Sequence, residues 1–131
     1  MADLQSALYS RLTTALSASI GTRAYWSKVP QGAAMPYLRM STISDERPQH
    51  LAGYDSSRIT RVQIDVFSRS YAEARSISES IISAVAQPVT VAGVNFGRTK
   101  AEGPRDLGED VEGVGYVHRL SLDLLAEHSL A

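Results

Sequence analysis

Leu4, Leu8, Leu12 and Leu16 recur at every fourth position, with Ala7 and Ala15 beside them. That spacing lines one face of a helix from about Asp3 to Ala18. Asp3 stands where a carboxylate accepts from the free N–H groups of a first turn, and Gly21 where a left-handed residue ends a helix. Ala24-Tyr25-Trp26 reads as a short strand. Pro30 and Pro36 bracket the connector to a second strand, Tyr37–Ser44, in which Leu38 and Met40 alternate with Arg39 and Ser41. From Asp45 to Ser57 the pattern breaks on Pro48 and Gly53, which predicts a long, mobile hairpin connection.

Arg58–Ser68 carries the clearest alternation: Val62, Ile64 and Val66 point one way, Arg61, Gln63 and Asp65 the other. Ser70 and Glu73 form a capping box in which hydroxyl and carboxylate each satisfy a backbone N–H. The helix they open shows Ala74, Ile77, Ile81, Ile82 and Val85 on one face and stops before Pro88. Val89–Val91 and Val94–Lys100 form a hairpin turning at Ala92-Gly93, and Glu102–Gly113 is a second polar loop. Tyr116, His118, Leu120, Leu122 and Leu124 then share one side of a last long strand, with Arg119, Ser121 and Asp123 opposite.

The pattern predicts an α+β domain over 1–131: a mostly antiparallel sheet with two helices packed on one face, in the order α-β-β-β-α-β-β-β. Strands with one apolar side belong to a sheet covered on that side only. The other face gathers Arg39, Arg61, Gln63, Asp65, Arg119 and Asp123. So mixed a set of charges is either solvated or paired with another subunit.

Composition narrows the function by subtraction. With 131 residues and a net charge of -1, nothing in the totals favours sequence-specific nucleic acid binding or an acidic membrane. No apolar run approaches the ~18 residues of a spanning helix, and the first residues do not read as a secretory signal. Cysteine is absent, which removes disulfides, thiolate metal sites and cysteine nucleophiles. His50 reads as a surface loop residue, His118 as a core or interface histidine, and His128 as tail. The acids Glu102, Asp106, Glu109, Asp110 and Glu112 lack the alternate-residue spacing of a calcium loop. The glycines between 93 and 115 lead from no strand into a helix, so they cradle no phosphate. No serine sits in a nucleophile elbow. Tyr25, Trp26, Tyr37 and Tyr54 have no basic groove for base stacking and read as core or interface aromatics. The chain reads as a non-enzyme with no cofactor and no metal.

One stretch is more specific than the rest. Gly21-Thr22-Arg23-Ala24-Tyr25 followed by Val29-Pro30 and Pro36-Tyr37, after a leucine-rich first helix, resembles the tail-completion, or tail terminator, family of long-tailed phages and gene transfer agents. Val62-Gln63-Ile64-Asp65-Val66-Phe67-Ser68 before the second helix, and His118-Arg119-Leu120-Ser121-Leu122 in the last strand, continue the likeness over nearly the whole chain. The resemblance implies a virion structural protein that forms a ring, commonly a hexamer. Such a ring caps the completed tail tube, stops its polymerisation and joins tail to head.

Its implied partners are further copies of itself, the tail tube protein and a head–tail connector or stopper, in the virion tail and, during assembly, the host cytoplasm. The candidate interface residues are Asp45, Glu46, Arg47, His50, Tyr54 and Asp55 in the first loop and Arg105, Asp106, Glu109 and Asp110 in the second. Both loops are expected to order on docking. Arg39, Arg61, Asp65, Arg119 and Asp123 are the candidates on the sheet face. Two alternatives stay open: a connector or stopper of the same neck region, and an unrelated small α+β ligand-binding domain.

Overall fold

The computed structural model describes residues 3–46, 49–50, 53–54 and 58–130, with the side chains of 46, 49, 50, 53 and 54 left aside. The leucine stripe forms α1 (Leu4–Ala15), and a short α2 (Ser17–Ile20) carries it to Gly21. Asp3 caps α1, its carboxylate accepting from the Ser6 backbone N–H at 2.7 Å. That hydrogen bond to the ionised form holds the Asp3 pKa below its usual range. Leu4, Leu8, Leu12 and Leu16 are all buried.

Strand β1 (Ala24–Trp26) pairs in parallel with β2 (Tyr37–Glu46), and β2 pairs antiparallel with β5 (Arg58–Ser68). Between β2 and β5 lies a small antiparallel pair, β3 (Gln49–His50) and β4 (Gly53–Tyr54). After α3 (Tyr71–Val85) come β6 (Val89–Val91), β7 (Val94–Asp106), β8 (Glu109–Val111) and β9 (Gly115–Leu130). The main sheet runs β1-β2-β5-β9-β7-β6, with β8 on β9.

The α+β class therefore holds, but the arrangement differs from the expected order of three strands, helix, three strands. The sheet is mixed, because β1 runs parallel to β2, and it curls into a half-barrel rather than lying as a simple antiparallel layer. Both expected loops are shorter than their composition suggested. β2 continues through Asp45 to Glu46, and β3 and β4 pair within the remainder of the first. Most of Glu102–Gly113 is strand, with Arg105 and Asp106 in β7 and Glu109 and Asp110 in β8. Polar residues suit strands whose far side meets water, and β9 supplies partners down its whole length. Gly103 sits at a bulge in β7 with φ +109, where a Cβ would lie 2.8 Å from the Ser121 carbonyl oxygen, so glycine is required there. At Ala92-Gly93 both φ angles are positive, as a two-residue hairpin turn demands.

Leu38, Met40, Val62, Ile64, Val66, Leu120, Leu122 and Leu124 form one buried core with α1 and α3. The capping box at α3 differs in one detail. Ser70 Oγ accepts from the Glu73 N–H at 3.3 Å, but the Glu73 carboxylate takes the Ser68 hydroxyl at 2.6 Å instead of the Ser70 N–H. Ser68 Oγ accepts that N–H at 3.0 Å, so the return half of the box runs through a relay. Arg11 is buried on α1, donates to the Gln87 carbonyl at 2.7 Å and lies 5.1 Å from the Phe96 ring centre. Burial pushes its pKa down.

Candidate functional site

The five sheet-face candidates come together on the side of the sheet away from the helices. The register sets Arg39 opposite Asp65, Asp65 opposite Ser121, and Gln63 opposite Asp123. Asp65 is 1% exposed, covered by the long side chains around it. Arg119 donates to its carboxylate at 3.1 Å and Gln63 at 3.1 Å. Arg61 pairs with Asp123 at 3.0 Å, and Arg105 reaches the same carboxylate at 3.4 Å. Glu102 joins through Arg61 at 3.8 Å and also pairs with Lys100 at 3.4 Å. Arg105, expected in a loop, thus belongs to this face. The result is a bed of alternating charges, in which Arg39 Nε and Arg119 Nε are buried without a hydrogen-bond partner.

Beside it the same face turns apolar. Tyr37 stacks on Phe67 with ring centres 4.9 Å apart, and the Arg119 guanidinium lies 5.8 Å from the Phe67 ring. Desolvation raises the Tyr37 pKa. These rings, Val117 and the Val29–Met35 connector bound an open groove of about 540 Å3, whose far wall is Val111 and Val114. It is open on one side, a cleft rather than an enclosed cavity.

Asp45 lies elsewhere. The register slips by one between Thr42 and Ser44, so Asp45 faces Thr60 on the helix-covered side. Thr60 donates its hydroxyl to Asp45 at 2.9 Å and sits 2.8 Å from His128 Nε2. Its one hydrogen being spent on Asp45, Thr60 accepts from His128, which places that ring's proton on Nε2. Arg58 pairs with Asp45. His128 is therefore no tail residue: it is buried in β9, and burial, reinforced by Arg58 and opposed by Asp45, lowers its pKa. Its signal in the sequence is the period of two that runs on from Leu122 and Leu124 through Ala126 to His128.

The other candidates do not converge. Asp106 accepts from the Gly108 N–H at 3.1 Å, while Glu109 and Asp110 are exposed on β8. Glu46 ends β2, and His50 and Tyr54 contribute backbone to β3 and β4. Arg47 and Asp55 lie outside the described residues. His118, half-buried, meets the edges of Tyr71 and Tyr116 at 5.8 and 4.8 Å. Trp26 packs against the core and donates to the Gln5 carbonyl at 3.1 Å. Among the described residues no group of three or more His, Asp or Glu is placed to hold a metal ion, and no helix is long and apolar enough to cross a membrane.

What the geometry offers is surface: a charged bed, an apolar groove and long strands. A family model described as "Tail completion protein gp17" matches residues 6–126. The chain belongs to this family. Tail completion proteins are structural, and this chain's role is a structural one in a phage tail. A solved chain from a "Virion of native gene transfer agent (GTA) particle" shares the fold at a TM-score of 0.65 and 20% identity, over 96% of this tail completion protein and 94% of that chain. A second solved chain aligns at a TM-score of 0.57 and 14% identity, over 94% and 92%. No curated protein matches this chain.

Proposed function

We propose that this tail completion protein is a tail terminator. Copies of the single domain over 1–131 close into a ring, a hexamer, that caps the finished tail tube, stops its polymerisation and presents the surface that the head joins. Its partners are its own copies, the tail tube protein and a connector or stopper, and its place is the neck of the virion, reached from the host cytoplasm. It has no catalytic part in assembly and needs no cofactor.

The observation that carries this reading is the family match over 6–126, supported by a fold shared end to end with a chain of a gene transfer agent virion. A closed ring needs a heterologous contact, in which one patch meets a different patch on the neighbour. A sheet face that is charged in one part and apolar in another supplies patches of different kinds.

Electron microscopy of the purified protein, alone and with tail tubes, tests the proposal. Rings of one diameter, and density at a single end of the tubes, are expected. A monomer at high micromolar concentration that ignores the tubes overturns it. Density between head and connector in labelled particles, away from the tube end, assigns the protein to a stopper instead.

A further inference from the structure

We propose that the ring contact is made by seating an isoleucine ridge of one copy in the apolar groove of the next. This inference rests on the ring reading above and adds to it which surfaces meet. The helices cover only one face of the sheet, so several apolar groups on the other face are left partly exposed within the chain. They occur at its two ends. At one end is the groove, where Tyr37, Phe67 and Val117 meet Val111 and Val114, the last two 36% and 40% exposed. At the other end, Ile43, the extra residue of the β2 bulge, is 53% exposed, and Ile59 on β5 is 37% exposed.

Ile59 and Phe67 lie on the same strand and the same face, eight residues apart, which at ~3.3 Å per residue is about 26 Å. The ridge therefore cannot reach its own groove, whereas a head-to-tail neighbour brings the two together. Charge points the same way. The groove is bordered by Arg69 and by Arg119, whose guanidinium Asp65 already pairs, with Glu109 the one acid among its described lining residues, and Ile59 stands directly across from the exposed Glu127 of β9. An acid beside the ridge meets the exposed Arg69 cation beside the groove, which steers the encounter and sets its direction. Ridge and groove are different patches, as a closed ring requires and a two-fold dimer does not.

Mixing variants tests the contact. Val114→Asp blocks the groove and Ile59→Asp blocks the ridge, both at exposed positions. Arg69→Glu is a second groove variant that changes charge alone. Circular dichroism first establishes that each is folded; Arg69→Glu stands in for Val114→Asp if the latter is not. In analytical ultracentrifugation each variant alone is expected as a monomer, or for Arg69→Glu as a ring only at higher concentration than wild type. A 1:1 mixture of a groove variant with Ile59→Asp is expected to stop at heterodimers, because one intact groove and one intact ridge remain per pair. Folded variants that close normal rings alone overturn this contact while leaving the ring intact. A wild-type protein that stays monomeric beside tail tubes overturns the ring itself, and the contact with it.

Discussion

On the open face of the sheet, the Asp65 carboxylate is held by Arg119 and Gln63. On the covered face, Asp45 is held by Thr60 and Arg58, with His128 behind Thr60. Both carboxylates are tied to neighbouring strands, yet they stand in different media. Asp65 is roofed by flexible arginines whose own charges reach water, so its partner is a cation supplied from the surface. The covered cluster shares its side with the core, and there the neutral hydroxyl of Thr60 sits between an acid and a base. A charge can be lowered into an exposed face if its counter-charge comes with it. On the covered side Asp45 also has its cation, Arg58, at a partly exposed rim, and the neutral Thr60 hydroxyl stands between that pair and the buried, uncharged histidine.

Substitutions separate these regions, beginning with the largest effect. Ile64→Asp places an unpaired carboxylate in the core, one residue from an Asp that the other face tolerates. It is expected to cost more than ~4 kcal/mol and leave no cooperative thermal transition by circular dichroism. Arg119→Met strips Asp65 of its cation while keeping much of the side-chain bulk. A loss of about 2–4 kcal/mol, discounted because Arg119 is partly solvated, is expected in urea denaturation. Adding Asp65→Asn to it should recover part of that loss.

Thr60→Val removes the intermediary of the covered cluster at constant shape and is expected to lower stability by about 1–3 kcal/mol. The smallest effect is in pH. His128 titrates lower in the folded chain than its usual value near 6.5, so the unfolded chain binds the proton first. Stability should be full above the unfolded pKa and fall as the pH drops below it, until the folded pKa is passed. In His128→Gln the stability curve should be flatter between pH 7 and pH 5. An unchanged slope would mean that the ring stays solvated.

These regions also differ in how far they could be read from residue order. The open face was legible, because period two in β5 and β9 assigns Arg61, Asp65, Arg119 and Asp123 to one side without any knowledge of pairing. The helices and the cap at Asp3 were legible for the same local reason. Asp45 was not: one inserted residue near Ile43 inverts the alternation, and a bulge depends on the partner strand. The reach of β7 through Gly103 and Pro104 was hidden likewise, since glycine, proline and acids spell a loop unless a long neighbour receives them. Nor does the groove show in any single segment, since it joins a connector to two strands far along the chain.

The position of β9 has a consequence in time. It lies between β5 and β7, yet it follows every other strand along the chain. A ribosome that has not yet passed residue 115 holds two unjoined fragments, β1-β2-β5 and β6-β7. Neither contains Arg119, Asp123, Val117 or Glu127. The charged bed, the groove floor and the acid beside the isoleucine ridge all arrive with this one strand. The contact proposed above is therefore complete only once β9 has been made, because the groove floor at Val117 and the acid Glu127 are the last of its parts to be synthesised.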